Sequence, residues 1–179
     1  MKTKRIVLIG GPSTGKTSLI NGLEKEGQIC LHEVSREVTK AAQEEGIEQL
    51  FLTEPLLFSE KLLEQRILQF KQVENINASL VFIDRGIPDV VAYMDYLGQT
   101  YPKKFTDACK DFIYDKVFVL PPWKDIHVTD EERYENFEQA EAIQNSLIKS
   151  YTSYGYDPVD VPKASVKERV EFILNNTDI

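Results

Sequence analysis

The sequence predicts an α/β domain in which a five-stranded parallel sheet lies between two layers of helices. Two observations support this fold class. Short apolar runs alternate along the chain with longer segments of helical periodicity, the pattern of repeated strand–helix–strand units. The first run ends in a glycine-rich turn, residues 10–17, that leads directly into a helical segment. No repeat, low-complexity tract or linker interrupts the pattern, so residues 1–179 are expected to form one domain.

Five aliphatic runs mark the strands. The third is the clearest, because four apolar residues follow one another without a polar one, as in a strand buried on both faces. Pro121 and Pro122 end the fourth. The predicted strands cover residues 4–9, 28–32, 79–84, 116–120 and 158–161.

Glycines and capping residues place the helices. Gly27 and Gly46 end the first two, since glycine readily takes the left-handed conformation that closes a helix. Capping boxes begin the last two, at Thr129 and Ser165. One buried face is expected on a long helix that starts at Thr53-Glu54-Pro55, formed by Leu56, Leu63, Ile67, Phe70 and Val73. The other predicted helices cover 15–26, 35–45, a segment from Pro88 that carries Val91, Met94 and Leu97, about 130–154, and 165–174.

Composition narrows the function classes. The formal net charge of −8 argues against a nucleic-acid partner, although a few local cations can still hold a small anion. Cys30 and Cys109 show no metal-binding spacing, which is typical of a reduced cytoplasmic protein. Neither a signal peptide nor a membrane-spanning stretch is apparent, so a cytoplasmic location without a membrane partner is expected.

Residues 10–17 match the phosphate-loop pattern G-x-x-x-x-G-K-[ST] at every specified position. Glycines let the backbone approach a phosphate closely, and the N-terminus of the following helix adds positive potential there. Lys16 is expected to reach the β and γ phosphates of a nucleoside triphosphate, and Thr17 to ligate Mg²⁺. The predicted nucleotide-binding residues are Gly10, Gly11, Pro12, Ser13, Thr14, Gly15, Lys16, Thr17 and Ser18.

Asp84 and Arg85 follow the third strand, where a carboxylate beside Mg²⁺ is expected. A hydrolytic ATPase usually places glutamate after this aspartate to activate water. Arginine cannot serve as a base, but it can hold an anionic acceptor or the transferring phosphoryl group. The alternative is that Asp84 caps the next helix and pairs with Arg85 at the surface.

Glu33 stands at the end of the second strand, at the sheet edge where ligands of such folds bind. It could accept a proton from an acceptor hydroxyl, and Arg36 could bind acceptor charge. Ordinary structural roles remain open for both, with Ser35 as the helix N-cap and Arg36 as a solvated side chain.

Residues 121–134 form a candidate lid between the fourth strand and the next helix. Phosphoryl transfer requires exclusion of water, often by a mobile segment that carries arginine. Arg133 is the candidate lid cation, and its alternative is an exposed helical residue paired with nearby acids.

At these residues the chain resembles the P-loop nucleoside and nucleotide kinases, thymidylate kinase-like proteins in particular. It is also similar to small single-domain proteins described as AAA domain or predicted ATPase, which resemble a ribosylnicotinamide kinase domain. The resemblance implies the sheet order 2-3-1-4-5, with Asp84 assisting Mg²⁺, Arg85 holding acceptor or phosphate, Glu33 contacting the acceptor and Arg133 closing over the phosphates. Gly86 departs from it, because thymidylate kinases commonly have a bulkier residue there.

Two function classes follow. The first is a kinase that moves the γ-phosphoryl of ATP, with Mg²⁺, to a small hydroxyl or phosphate acceptor. The second is a nucleotide-dependent regulator or weak ATPase that acts through a protein partner. A signalling GTPase is disfavoured, because Lys124-Asp125 does not match the guanine-reading motif N/T-K-x-D and no D-x-x-G follows the third strand.

Overall fold

A computed structural model describes residues 2–126 and 136–177 of the chain. Five parallel strands form one sheet in the order β2-β3-β1-β4-β5, which confirms the predicted topology. The strands are β1 Lys4–Ile9, β2 Cys30–Leu31, β3 Leu80–Asp84, β4 Lys116–Val119 and β5 Val159–Asp160. The described helices are α1 Lys16–Lys25, α2 Ser35–Glu44, α3 Leu50–Thr53, α4 Pro55–Gln72, α5 Ile87–Tyr96, α6 Lys104–Asp111, α7 Phe137–Ser153 and α8 Val166–Asn175, with 3₁₀ turns at Val73–Asn75 and Lys124–Ile126.

The central strand β1 alternates its side chains between two cores. Ile6 and Leu8 pack with α1 and α8 on one face of the sheet. Val7 and Ile9 pack with the end of α4, with α5 and with α7 on the other face. Because both faces are covered, every residue of β1 after Lys4 is buried, as expected for the centre of a parallel sheet.

Strand register brings the predicted site residues to one edge of the sheet. Leu8 of β1 pairs with Asp84 of β3, so both strands end at nearly the same level. Cys30 and Leu31 pair with the second half of β3, which places the residues after β2 beside them. The carboxyl ends of the strands therefore form a common rim, where parallel α/β sheets bind ligands.

The helices differ from the sequence predictions at several places. Leu56, expected on the buried face of α4, is exposed, whereas Leu63 and Phe70 of that face are buried together with the polar side chains of Arg66 and Gln69. Leu97, predicted within the helix from Pro88, is the exposed C-cap of α5. Helix α6 was not expected from the sequence. Helix α7 begins at Phe137 with Asn136 as its N-cap, whereas the predicted start near Asp130 lies in 127–135, outside the described residues.

No helix in 2–126 or 136–177 combines the length and apolar character needed to cross a lipid bilayer. That residues 1–179 form a single domain stays a prediction.

Candidate active site

The glycine-rich loop connects β1 to α1, as the sequence predicts. Gly15 has φ of 80° and Ser13 has φ of 56°, so the chain turns through left-handed backbone just before Lys16 starts the helix. Gly10 lies against the end of β4, and a Cβ there would stand 2.8 Å from the Leu120 carbonyl oxygen. Space therefore requires glycine at position 10, and conformation favours it at position 15.

Three carbonyl oxygens of this loop accept hydrogen bonds from side chains. Lys16 Nζ donates to Gly10 O over 3.1 Å, and Thr14 Oγ1 donates to Gly11 O over 3.0 Å. The third donor is Arg169 of α8, whose Nη2 lies 2.9 Å from Thr14 O. These bonds fix the peptide planes of the loop, and a backbone anion site depends on that orientation.

Helix α7 packs directly against the loop. Gly11 N donates to Gln144 Oε1 over 3.3 Å, and a Cβ on Gly11 would stand 3.1 Å from Ala140 O. The loop is thus supported by a helix that follows the candidate lid in the chain.

Lys16 supplies a positive charge within the loop itself. Desolvation by burial, followed by the positive charge of Arg85, lowers the pKa of Lys16 to about 8. Asp84 and Glu33 raise it by smaller amounts, so these three residues of the strand ends act on the Lys16 ammonium.

This pKa makes nucleotide affinity depend on pH. A bound phosphate favours protonated Lys16, so binding takes up a proton where free Lys16 is partly deprotonated. We expect the affinity for Mg·ADP to fall as pH rises through about 8, approaching tenfold per pH unit. Calorimetric titration in buffers of different ionisation enthalpy measures both the affinity and the proton uptake.

The control is Lys16→Met, which has no titratable group at this position. It should bind Mg·ADP more weakly at every pH, and its affinity should not fall further as pH rises above about 8. An affinity of the unmodified protein that stays constant across this range would contradict the prediction.

Asp84 offers an unsatisfied carboxylate beside the loop. Its residue is 7% exposed, and its Oδ1 is buried without a hydrogen-bond partner among the described residues. Burial raises the pKa of Asp84, with Lys16 and Arg85 opposing that rise. A buried carboxylate oxygen that lacks a donor is suited to a hard cation such as Mg²⁺.

The hydroxyls of Thr17 and Ser18 lie in the first turn of α1, and both residues are exposed. Pro12 is half-buried within the loop. The donor set of Thr17 and Asp84 fits Mg²⁺, which usually takes one or two protein oxygens and completes its shell with water and phosphate.

Arg85 and Glu33 form an ion pair at the rim. Arg85 Nε lies 2.6 Å from Glu33 Oε2, and the two side chains are 15% and 21% exposed. Glu33 Oε1 also accepts from Ser35 N over 3.1 Å, at the start of α2. Ser35 is the first residue of this helix and Val34 is its N-cap, so the alternative of Ser35 as N-cap is wrong. Burial alone would raise the pKa of Glu33, but the guanidinium groups of Arg66 and Arg85 hold it below its ordinary value.

Arg66 and Asp89 form a second pair beneath the first, with side chains only 5% and 1% exposed. Arg66 Nη2 donates to Glu33 Oε1 over 3.1 Å, and Arg85 Nη1 lies 3.3 Å from Asp89 Oδ1. The four side chains constitute a charge-balanced quartet of two arginines and two carboxylates. We call Arg85–Glu33 the outer pair and Arg66–Asp89 the inner pair.

Asp89 is held in place by neutral donors as well. Its Oδ2 accepts from Gly86 N over 2.9 Å and from Tyr151 Oη of α7 over 2.6 Å. A Cβ at Gly86 would stand 2.5 Å from Tyr151 Oη. The small residue at position 86 thus lets α7 reach the quartet. Arg85 itself has φ of 70°, a conformation rare for residues other than glycine.

The structure brings together the loop, Asp84, Arg85 and Glu33. Arg133 lies outside the described residues, so its predicted role stays a prediction, as does the lid formed by 121–134. Sequence reasoning did not find Arg66 or Asp89. Asp89 could have been suspected from its place one turn after Arg85, whereas Arg66 comes from the middle of α4 and carries no motif.

Comparisons with solved structures agree on the fold. Deoxyadenosine kinase from M. mycoides, with the products dCMP and dCDP, has a TM-score of 0.68 at 17% identity, covering 96% of both chains. NadR protein in complex with NAD and AMP-PNP has a TM-score of 0.71 at 17% identity, over 99% of this chain but 50% of that one. Thymidylate kinase from Candida albicans has a TM-score of 0.70 at 12% identity, covering 97% of this chain and 90% of that one.

At these identities the likeness establishes a P-loop kinase fold. No curated protein matches the chain by sequence. The family model described as AAA domain matches residues 5–169, nearly the whole chain. The protein therefore belongs to this AAA domain family.

Proposed function

We propose that the protein is an ATP-dependent phosphotransferase that moves the γ-phosphoryl group of ATP to a hydroxyl group of a small molecule. The observation that carries the proposal is the outer pair, Arg85–Glu33, at the rim beside the phosphate loop. Two of the structural neighbours are named as kinases, of a nucleoside and of a nucleotide, which supports a phosphotransferase on this fold.

The loop and its neighbours would hold the donor nucleotide. Lys16 would contact the β and γ phosphates, while Thr17 and Asp84 would hold Mg²⁺. When bound, the cation neutralises charge that develops on the phosphate oxygens. Lys16 is already placed at the loop, since its Nζ contacts Gly10 O, and it needs only to exchange that carbonyl for a phosphate oxygen.

The outer pair would receive the acceptor. A hydroxyl group both donates and accepts hydrogen bonds, and the outer pair offers one acceptor, the Glu33 carboxylate, beside one donor, the Arg85 guanidinium. A phosphate monoester carries only acceptors at neutral pH and would face the carboxylate with like charge. The pair therefore favours an alcohol, such as a nucleoside hydroxyl, over a phosphate.

In the transfer, the acceptor oxygen forms a bond to the γ-phosphorus as the bond to the ADP oxygen breaks, and the hydroxyl proton leaves towards Glu33. Because its pKa is held low, Glu33 is a weak base that orients the hydroxyl and accepts its proton late. A loose transition state makes a weak base sufficient, since little proton transfer is needed before the phosphoryl group moves.

The test uses γ-labelled ATP, Mg²⁺ and separate pools of nucleosides, nucleoside monophosphates and vitamin-like alcohols. We expect label on an alcohol, and a loss of about 10²-fold in Glu33→Gln, the lower end of the range for removal of a general base, because little proton transfer is needed before the phosphoryl group moves. Glu37→Gln, which changes an exposed acid of α2, is the matched control and should retain activity within about twofold.

Other outcomes would separate the alternatives. Label on a monophosphate would retain the kinase and reject the alcohol acceptor. Label released only as free phosphate with every pool would favour the regulatory ATPase. Equal loss in both glutamate variants would remove the specific role of Glu33.

A further inference from the structure

Arg169 of α8 is a buried cation that has no anionic partner among residues 2–126 and 136–177. The residue is 4% exposed, and its Nε has no hydrogen-bond partner within residues 2–126 and 136–177. Its hydrogen bond runs from Nη2 to the carbonyl oxygen of Thr14, over 2.9 Å. Burial lowers the pKa of Arg169, and no carboxylate in that part of the chain offsets the effect.

A buried cation of this kind lowers the stability of the nucleotide-free protein, because a buried charge normally requires a counter-charge. The quartet at the rim shows the usual solution, since each of its arginines faces two carboxylates. Arg169 instead faces the phosphate loop. The anion best placed to offset its charge is therefore a ligand of that loop.

Close packing of two helices brings Arg169 to this position. A Cβ on Gly22 of α1 would stand 2.8 Å from Val170 Cγ2 and 3.0 Å from Val166 Cγ1. Glycine at position 22 thus lets α8 lie against α1, the helix that continues from the loop. Arg169, next to Val170 on α8, reaches back to the loop at Thr14.

The hydrogen bond from Arg169 to Thr14 O also fixes the direction of the next backbone N–H, that of Gly15. In a trans peptide the C=O and the N–H of the next residue point in opposite directions, and no peptide bond in the described residues is cis. With its carbonyl held towards Arg169, the Thr14–Gly15 peptide directs the N–H of Gly15 away from Arg169. A hydrogen bond from a cation to the carbonyl also polarises the peptide and makes that N–H a stronger donor.

We propose that Arg169 is a positioning residue of the nucleotide site, which orients the Thr14–Gly15 peptide towards bound phosphate and has its buried charge offset by that phosphate. The proposal rests on nucleotide binding, one part of the proposed function, and not on phosphoryl transfer. Arg169 would link nucleotide binding to stability, because its unpaired charge penalises only the nucleotide-free protein.

The test compares Arg169→Met with the unmodified protein in calorimetric titrations with Mg·ADP and with inorganic pyrophosphate. We expect the affinity for both to fall by about tenfold or more, the usual effect of losing a hydrogen bond to a charged group. The melting temperature of the nucleotide-free variant should be equal to or above that of the unmodified protein, because methionine removes a buried charge at similar length.

Two further variants make the result specific. Arg169→Lys retains the positive charge but lacks the planar guanidinium with its several N–H donors. It should recover part of the affinity for Mg·ADP and pyrophosphate that Arg169→Met loses. Lys167→Met removes an exposed cation from the same helix and should change affinity by less than about twofold.

Unchanged affinity in Arg169→Met would overturn the proposal. A lower melting temperature of the nucleotide-free variant would also overturn it, because Arg169 would then stabilise the free protein. If the unmodified protein binds neither probe, nucleotide binding itself fails, which is a separate result.

Discussion

Asp84→Asn is expected to lower phosphoryl transfer by about 10²-fold or more, the range for loss of a single electrostatic contact to the transferring group. The nucleotide-free variant should nevertheless melt at the same temperature as the unmodified protein or higher. Asp84 Oδ1 is buried and has no donor in the part of the chain that the structure describes, and burial raises the pKa of this carboxyl. Its charge is therefore unfavourable in the nucleotide-free protein. An asparagine of the same shape removes that cost together with the negative charge that would hold Mg²⁺.

Initial rates at saturating Mg²⁺ and thermal melting without nucleotide measure the two effects. Asp160→Asn is the control, since Asp160 is an exposed residue of β5 in the same sheet, and neither quantity should change. A marked fall in melting temperature with Asp84→Asn would show that the carboxylate stabilises the fold. The activity loss would then not identify a metal ligand.

Arg66→Met is expected to lower the free energy of unfolding by about 3–5 kcal/mol, the usual cost of removing one partner from a buried ion pair. Arg66 donates to Gly86 O over 2.5 Å and to Glu33 over 3.1 Å, and it lies 3.8 Å from Asp89. Without it, the buried carboxylate of Asp89 and the partly buried carboxylate of Glu33 share a single arginine. Urea unfolding at neutral pH measures the loss, and Lys71→Met, an exposed cation of the same helix, should change it by less than about 1 kcal/mol.

The dependence of the free energy of unfolding on pH gives a second test of the role of Arg66. Arg66 and Arg85 hold the pKa of Glu33 below its ordinary value of 4.5 in spite of burial. The stability from these ion pairs is therefore complete above pH 4.5 and is lost as pH falls through the lower pKa of the folded protein. In Arg66→Met the free energy of unfolding should fall less steeply as pH decreases below 4.5, and this decrease at acidic pH is called the acid limb. An unchanged limb with a small loss of stability would contradict a central role for Arg66.

Sequence reasoning found the parts of the site that are local in the chain. The phosphate loop needs glycines, a lysine and a hydroxyl at fixed spacing, and the sheet order follows from the kinase resemblance. Asp84 and Arg85 were found because they end the most apolar strand. Glu33 was found because β2 must end at the same rim.

The partners supplied by helices could not be found in this way. Arg66 lies in α4, where an apolar pattern predicted one buried face, yet that helix buries Arg66 and Gln69 while Leu56 is exposed. Arg66 is 33 residues from Glu33, and Arg169 is 155 residues from Thr14. Such pairs depend on helix packing against the sheet, which the spacing of apolar residues does not determine.

The most direct test of the proposed function is the stoichiometry of transfer. ADP formed from γ-labelled ATP is measured together with label on the acceptor, for the alcohol pool and without any acceptor. We expect one labelled acceptor for each ADP with the alcohol, and little ADP without it. Equal amounts of ADP and free phosphate, whatever acceptor is present, would contradict a phosphotransferase and identify a hydrolase.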